Sequence, residues 1–308
     1  MESIPKYEKN RRILTKLKDI EKLKMNDPIG EKKQSNVDKK TILGFGDEWK
    51  RFPQNDLGER QRQRIFNDYF AIFPWSHLPK DAIGVDVGCG SGRWAKIVAN
   101  KVHLLNCIDP SKKALNVAKR NLSNFSNIRY FNASVNDNIL KENSQDFGYC
   151  LGVLHHIPDT LEGIKACARL LKKDAPFLLY LYYNFENRSF FYKLIWRLSN
   201  FQRKIISSLS PKAKIFITSI IAYLIYFPLA RFALVSEKLG IDVSNFLLSY
   251  YKNKPFYFMR TDALDRFGTQ LEKRFSKDEI QTMLQEAGFQ DIRFSKNMPF
   301  WVSISRKS

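Results

Sequence analysis

Four cysteines in 308 residues, Cys89, Cys107, Cys150 and Cys167, show no CxxC spacing. That excludes a disulfide scaffold and the common zinc-site patterns, and it reads as buried thiols in a reducing compartment. Histidine is equally scarce, four in all. No catalytic triad, paired-carboxylate pattern or metal-ligand spacing can be assembled, so no metal is expected. The opening stretch MESIPKYEKNRRILTKLK carries charges throughout and lacks an apolar segment of about 7 to 15 residues. No secretory signal is expected, and the location inferred is cytoplasmic. Acidic residues are also in deficit, 31 against 51 Lys and Arg, for a formal net charge of +20. Nine of those positive charges fall net within residues 186–260, and a charge of that size seeks an anionic partner.

What is present centres on GVDVGCGSGRW, Gly84 to Trp94, where an apolar strand runs through Asp86 into the alternating glycines Gly88, Gly90 and Gly92. Glycine suits such a turn because it accepts backbone angles that a Cβ obstructs and lets a ligand lie on bare main chain. A helix expected from Gly92 would point its N-terminal dipole at that ligand. The dinucleotide pattern GxGxxG needs a third glycine where this chain has Arg93, which disfavours a nicotinamide or flavin site. Twenty-one residues after Gly88, the apolar run Val102 to Ile108 ends in Asp109, spaced to accept hydrogen bonds from ribose hydroxyls. Asp109, Pro110 and Ser111 also suit a plain helix start.

The spacing Asp86-x-Gly88-x-Gly90-x-Gly92 resembles the first motif of class I S-adenosylmethionine-dependent methyltransferases. The resemblance implies S-adenosyl-L-methionine as cofactor, Asp86 near its methionine ammonium group and Asp109 on its ribose. Where that family usually carries an acid for the adenine amino group, this chain has Ser134, with Asn136 and Asp137 close by. FGYCLGVLHHIPD, Phe147 to Asp159, resembles the fourth motif of the branch related to quinone-biosynthesis methyltransferases and implies a wall near the sulfonium. The implied cofactor site therefore comprises Asp86, Gly88, Cys89, Gly90, Gly92, Asp109, Pro110, Ser134, Val135, Val153 and Leu154. Methyl transfer is an in-line displacement in which alignment and water exclusion can supply most of the catalysis. His155 and His156 are the candidates for a general base, weighed against packing or a structural hydrogen bond. Tyr182 to Asn184 are expected near the transferred methyl.

Alternating strands and helices mean a largely parallel sheet covered on both faces. The expected fold is α/β, a doubly wound, seven-stranded, mostly parallel sheet of Rossmann-like methyltransferase type with a helical insertion after the fifth strand. Ser276-Lys277-Asp278-Glu279 is a capping box for a closing helix, followed by strand-like runs at Asp291 to Phe294 and Phe300 to Ile304. The organisation read from the chain is a basic flexible arm at 1–44, a cofactor-binding core at 45–185, the insertion at 186–274 and closing elements at 275–308. Phe45 to Asp56 and the helix ERQRQRIFNDYF are expected over the cofactor mouth, with Trp49 and Phe52 as contacts.

Residues 186–260 hold twelve Lys or Arg against three Asp or Glu. Phe190 to Leu209 places aromatic and aliphatic residues at helical spacing among Lys193, Arg197, Arg203 and Lys204, as a helix does at a membrane interface or packed on a neighbour. Ile215 to Ala230 is charge-free, but a single crossing there would divide the strands of one sheet between two sides of a bilayer. A buried hairpin, a lid or a surface-lying contact is expected instead. The segment Tyr250 to Phe275, with Arg260, Asp262, Asp265 and Arg266, is expected to return across the site. With YLYYNFENRS it resembles a methyltransferase branch associated with surface-polysaccharide biosynthesis. The function so implied is methyl transfer to a small-molecule, glycan or lipid-linked acceptor at the cytoplasmic membrane face, with peripheral contact to anionic lipid. A nucleic-acid methyltransferase and a non-catalytic membrane-associated scaffold are the alternatives. Nucleic acid is disfavoured because the apolar run has no purpose on a phosphate backbone, and Asn-Pro-Pro-Tyr-like tetrapeptides are absent.

Overall fold

The computed structural model describes residues 36–53, 58–186 and 188–308. Of the expected basic arm, residues 1–35 lie outside the described residues, as do 54–56 of the segment expected over the cofactor mouth. Seven strands form one sheet in the order β3-β2-β1-β4-β5-β7-β6. They are β1 Ile83–Val87, β2 Leu104–Ile108, β3 Ile128–Phe131, β4 Phe147–Leu151, β5 Pro176–Tyr180, β6 Phe289–Phe294 and β7 Val302–Lys307. The first five run parallel, with Val85 beside Asn106 and Gly84 beside Phe147. The seventh is antiparallel to both β5 and β6. Central strands buried on both faces read as unbroken apolar runs, which is why the sequence locates them.

One face of the sheet packs Phe66, Phe70, Trp94, Leu105, Tyr149 and Leu178, and the other packs Val85, Ile108, Ile164, Leu179, Ile280 and Leu284. Ser111 caps the helix Lys112–Asn121 and Asp159 caps Thr160–Leu170, each accepting from a backbone N–H three residues on. The capping box at Ser276 is formed in full: its hydroxyl accepts from Glu279 N at 3.1 Å, and Glu279 Oε2 accepts from Ser276 N at 2.6 Å. One expectation fails locally. Helix does not begin at Gly92 but at Ala95, and it lasts only to Val98 before a tighter turn. Gly88, Gly90 and Gly92 all have positive φ, incompatible with right-handed helix. A four-residue helix supplies little dipole to a ligand.

Helix α1, Lys39–Arg51, is capped by Asp38, so the expected arm boundary at residue 44 falls inside an element of the core. Helix α2 is Glu59–Phe70. The insertion is helical. Its first helix, Phe190–Ser208, is capped by Ser189; its second runs unbroken over Pro211–Lys238. Within the second, a π turn at Ala222–Tyr226 precedes Pro228. Proline lacks an N–H and crowds the carbonyl four residues back, and a wider turn relieves both. A third helix, Phe256–Gly268, completes a separate small core of Ile206, Ala222, Tyr226, Ala230, Met259, Ala263 and Phe267. The 28-residue helix is long and apolar enough to cross a membrane, with a mean hydropathy of 1.8 in its most apolar window. Because β7 hydrogen-bonds to β5 after the insertion, a single crossing by this helix would divide the sheet between two sides of a bilayer and is excluded. Nor is it the buried hairpin that the sequence also allowed, since only 22% of that window is buried.

Candidate active site

A cavity of about 620 Å³ lies beyond the carboxyl ends of β1, β2, β4 and β5. Parallel sheets of this kind bind ligands there, because loops diverge at that edge and leave a crevice. Its floor is the glycine turn. Gly88 has φ +75° and a Cβ on it would lie 2.4 Å from Val153 Cγ2; Gly90 has φ +56° and its Cβ would meet Trp49 Nε1 at 3.0 Å. Positive φ disfavours any side chain at both positions, and at Gly88 a Cβ would also collide with Val153.

Asp109 is buried beside this turn, and its carboxylate accepts from Gly90 N at 2.9 Å and from Ser111 N at 2.8 Å. Burial pushes it up to about 6 against the pull of these two backbone donors. Asp86 behaves differently. It is 2% exposed and accepts from Tyr149 Oη at 2.9 Å; it does not line the cavity. Burial pushes its carboxyl up to about 8, and the expected ammonium-binding role is not carried by this placement. A side slot of about 50 Å³ opens off the same turn, walled by Val87, Ile108, Pro110, Ser134, Val135 and Leu154. The Ser134 hydroxyl accepts from Asn136 N at 3.3 Å, and Asp137 accepts from Ser134 N at 2.7 Å.

Helix α1 roofs the cavity with Ile42, Phe45, Glu48 and Trp49, spaced three and four apart on one face. It is tied down by an ion pair between Asp47 and Lys113 at 2.6 Å and by Asn36, which exchanges hydrogen bonds with the Asp159 backbone at 2.7 and 2.8 Å. Trp49 lies where the sequence places it. Phe52 does not reach the cavity and packs in the core against Tyr257 and Arg260.

The paired histidines separate. His155 is fully buried off the cavity, stacked on Tyr182 with centroids 3.8 Å apart, and neither ring nitrogen has a hydrogen-bond partner among the described residues. Burial, then the neighbouring His156, holds its ring well below the usual range, so it packs as a neutral group. His156 lines the cavity, with Nδ1 2.7 Å from the Leu271 carbonyl. Tyr182 and Tyr183 line it too, whereas Asn184 does not.

Three acids at the cavity wall escape sequence reasoning as a group: Glu48 from α1, and Asp262 and Asp265 from the last insertion helix. Burial, then Asp265 and Asp262, drives Glu48 well above the ordinary carboxyl range, and burial, then Asp265, pushes Asp262 up to about 7. Arg93 opposes both. Asp262 and Asp265 are visible in the sequence only as charges in an aromatic stretch; Glu48, more than two hundred residues earlier, gives no sign of meeting them.

A strand-end acid beside a bare glycine cradle offers acceptors for sugar hydroxyls, with a small apolar slot at its flank. Taken with the strand order, this arrangement resembles a class I S-adenosylmethionine-dependent methyltransferase domain, and the residues present fit that cofactor. Residues 85–179 match the family model described as a methyltransferase domain. The ubiquinone biosynthesis O-methyltransferase of Vibrio vulnificus (strain YJ016) is 34% identical over 91 residues, covering 29% of this chain and 38% of that protein. That of Coxiella burnetii (strain Dugway 5J108-111) is 27% identical over 164 residues, covering 51% and 66%. The chain thus spans 38% to 66% of the length of these curated relatives and is related to quinone-biosynthesis enzymes through this domain. Among solved structures, a phosphoethanolamine N-methyltransferase of Haemonchus contortus in complex with phosphomonomethylethanolamine and S-adenosylhomocysteine aligns with a TM-score of 0.46 at 16% identity. It covers 83% of this chain and 43% of that one.

Proposed function

We propose that this protein transfers a methyl group from S-adenosylmethionine to a hydroxyl of a small-molecule acceptor, lipid-linked or quinone-like in character, at the cytoplasmic face of a membrane. The observation that carries the reading is one cavity lined by the Gly88–Gly90 cradle, Asp109 and His156 together. Gly88, Gly90, Asp109 and Pro110 would hold the cofactor, with Ser134, Val135 and Leu154 at the side slot. When bound, it supplies an electrophilic methyl on a charged sulfur. The chain's own residues align the acceptor, exclude water under α1, and accept the acceptor's proton at His156 Nε2. Catalysis by alignment fits a cavity walled by eight tyrosines, which position an aromatic or amphiphilic acceptor without charge.

Support for the membrane face comes from the insertion. Phe190, Phe191, Leu198, Phe201, Phe216 and Tyr223 are each more than 60% exposed on adjoining helices, with Lys193, Arg197, Lys204 and Lys212 among them. An apolar face flanked by cations is the arrangement of interfacial helices. Ile195, Leu198 and Ile225 belong both to that exposed face and to the cavity wall, so an acceptor with an apolar tail has a path between them. Four buried free thiols favour a reducing compartment. The test is calorimetric titration with S-adenosylhomocysteine, then incubation of labelled S-adenosylmethionine with host membrane and soluble extracts. Micromolar binding with label entering a membrane-extractable product is expected; folded protein that binds no S-adenosylhomocysteine would refute the reading.

A further inference from the structure

We propose that the helical insertion completes the catalytic centre: the Leu271 carbonyl fixes the tautomer of His156, and Asp265 is the positioning residue that stabilises the ring once it takes a proton. The inference rests on the methyl-transfer reading above, but both groups lie outside residues 85–179, the stretch that matches the methyltransferase-domain family.

A carbonyl oxygen has no proton to give, so the 2.7 Å contact between Leu271 O and His156 Nδ1 requires Nδ1 to carry the hydrogen. In the neutral ring the lone pair then sits on Nε2. That atom is buried, has no hydrogen-bond partner among the described residues, and belongs to a side chain on the cavity wall. An unpartnered buried nitrogen is costly unless it meets a ligand. Asp265 Oδ1 is 3.9 Å from it, too far for a hydrogen bond but close enough to act on a charge.

Asp265 is held in place. Its Oδ2 accepts from the Tyr182 hydroxyl and its Oδ1 from Thr269 Oγ1 at 3.4 Å. Tyr182 is itself clamped between the His155 ring and the Arg274 guanidinium, 5.0 Å from its centroid, and Arg274 is paired to buried Glu272 at 2.9 Å. The segment that bears these groups is fastened by Lys273 N to His155 O and Phe275 N to Tyr182 O. The groups around His156 are thus His155 on its own turn, Tyr182 after β5, Asp265 on the insertion helix, Glu272 and Arg274 on the return segment, and Phe45 on α1, while Glu48 of α1 acts on Asp265. In the step assigned here, the acceptor O–H bond breaks, its electron pair stays on oxygen, and its proton goes to Nε2. The positive charge appears on the ring beside Asp265.

The test uses the full chain labelled with ¹⁵N at histidine, with the His156 signals assigned by His156→Gln. The expected result is a neutral ring protonated at Nδ1 and bare at Nε2. The ¹⁵N shift of Nε2 should move in Asp265→Asn and return toward its wild-type value in Asp265→Glu, while titration with S-adenosylhomocysteine is retained. A neutral ring protonated at Nε2, or an Nε2 shift indifferent to Asp265→Asn, overturns the inference. The wild-type tautomer decides the Leu271 half even if the variant does not fold. Loss of S-adenosylhomocysteine binding by the wild-type protein instead overturns the methyltransferase reading.

Discussion

Asp86 and Asp109 sit at the ends of neighbouring strands, yet only Asp109 reaches the cavity. Removing its carboxylate by Asp109→Ala leaves the Gly90 and Ser111 N–H groups without their acceptor and deletes the oxygens that sugar hydroxyls would meet. Charge-assisted hydrogen bonds contribute about 1.5–3 kcal/mol each, so S-adenosylhomocysteine affinity should drop by roughly tenfold to a hundredfold in a calorimetric titration. An unchanged Kd would place the cofactor elsewhere. Asp86 should report through stability instead. Its carboxyl is pushed up to about 8 by burial, against about 3.9 in an unfolded chain. The folded protein then binds more protons than the unfolded one between those values, and stability falls as pH rises across that window. The contribution is full below about pH 4 and gone above about pH 8. The urea stability of wild type minus that of Asp86→Asn should therefore shrink from pH 5 to pH 8 by up to a few kcal/mol, and a pH-independent difference would contradict it.

Among the elements, α1 links the cofactor turn to the insertion. Its Trp49 packs close against Gly90, 3.0 Å from where a Cβ would lie, its Phe45 meets the His156 ring edge-on at 4.8 Å, and its Glu48 faces the two insertion acids. Trp49→Ala opens the roof without touching the sheet. S-adenosylhomocysteine should dissociate about tenfold faster by stopped-flow fluorescence, while the melting temperature changes by only a few degrees. A large loss of stability with unchanged dissociation would make Trp49 a core residue only. The strands and the glycine turn were legible in the sequence because buried parallel strands are continuous apolar runs, and because a turn with positive φ at Gly88 and Gly90 selects one residue type. The roof was half legible: Trp49 could be named, but Phe52 turned out to pack on Tyr257, a partner two hundred residues away. What joins His156 to Leu271, Asp265 to Tyr182 and Asp86 to Tyr149 is tertiary, and no local period encodes it. The same holds for the π turn, which solves a clash that Pro228 creates only after the helix has formed around it.

For the whole molecule, the decisive feature is that apolar surface and positive charge occupy the same flank. The insertion's long helix spans about 42 Å at ~1.5 Å per residue, and its exposed side chains are flanked by lysines and arginines, in a chain of net charge +20. Apolar burial and charge attraction then predict different responses in one experiment. Vesicles with about a third anionic lipid should float the protein, and neutral vesicles should float much less of it. Raising salt should weaken the first interaction without abolishing it, because the Debye length contracts from about 10 Å at 0.1 M to about 3 Å at 1 M while the apolar term persists. Leu198→Glu with Phe201→Glu replaces two exposed apolar groups at little cost to the fold, and it should reduce flotation at every salt concentration. Binding lost entirely at high salt would reduce the flank to an electrostatic patch, and equal flotation of wild type and the double variant would remove the apolar face from the mechanism. Either result would leave the cofactor site intact and send the acceptor search back to the soluble extract.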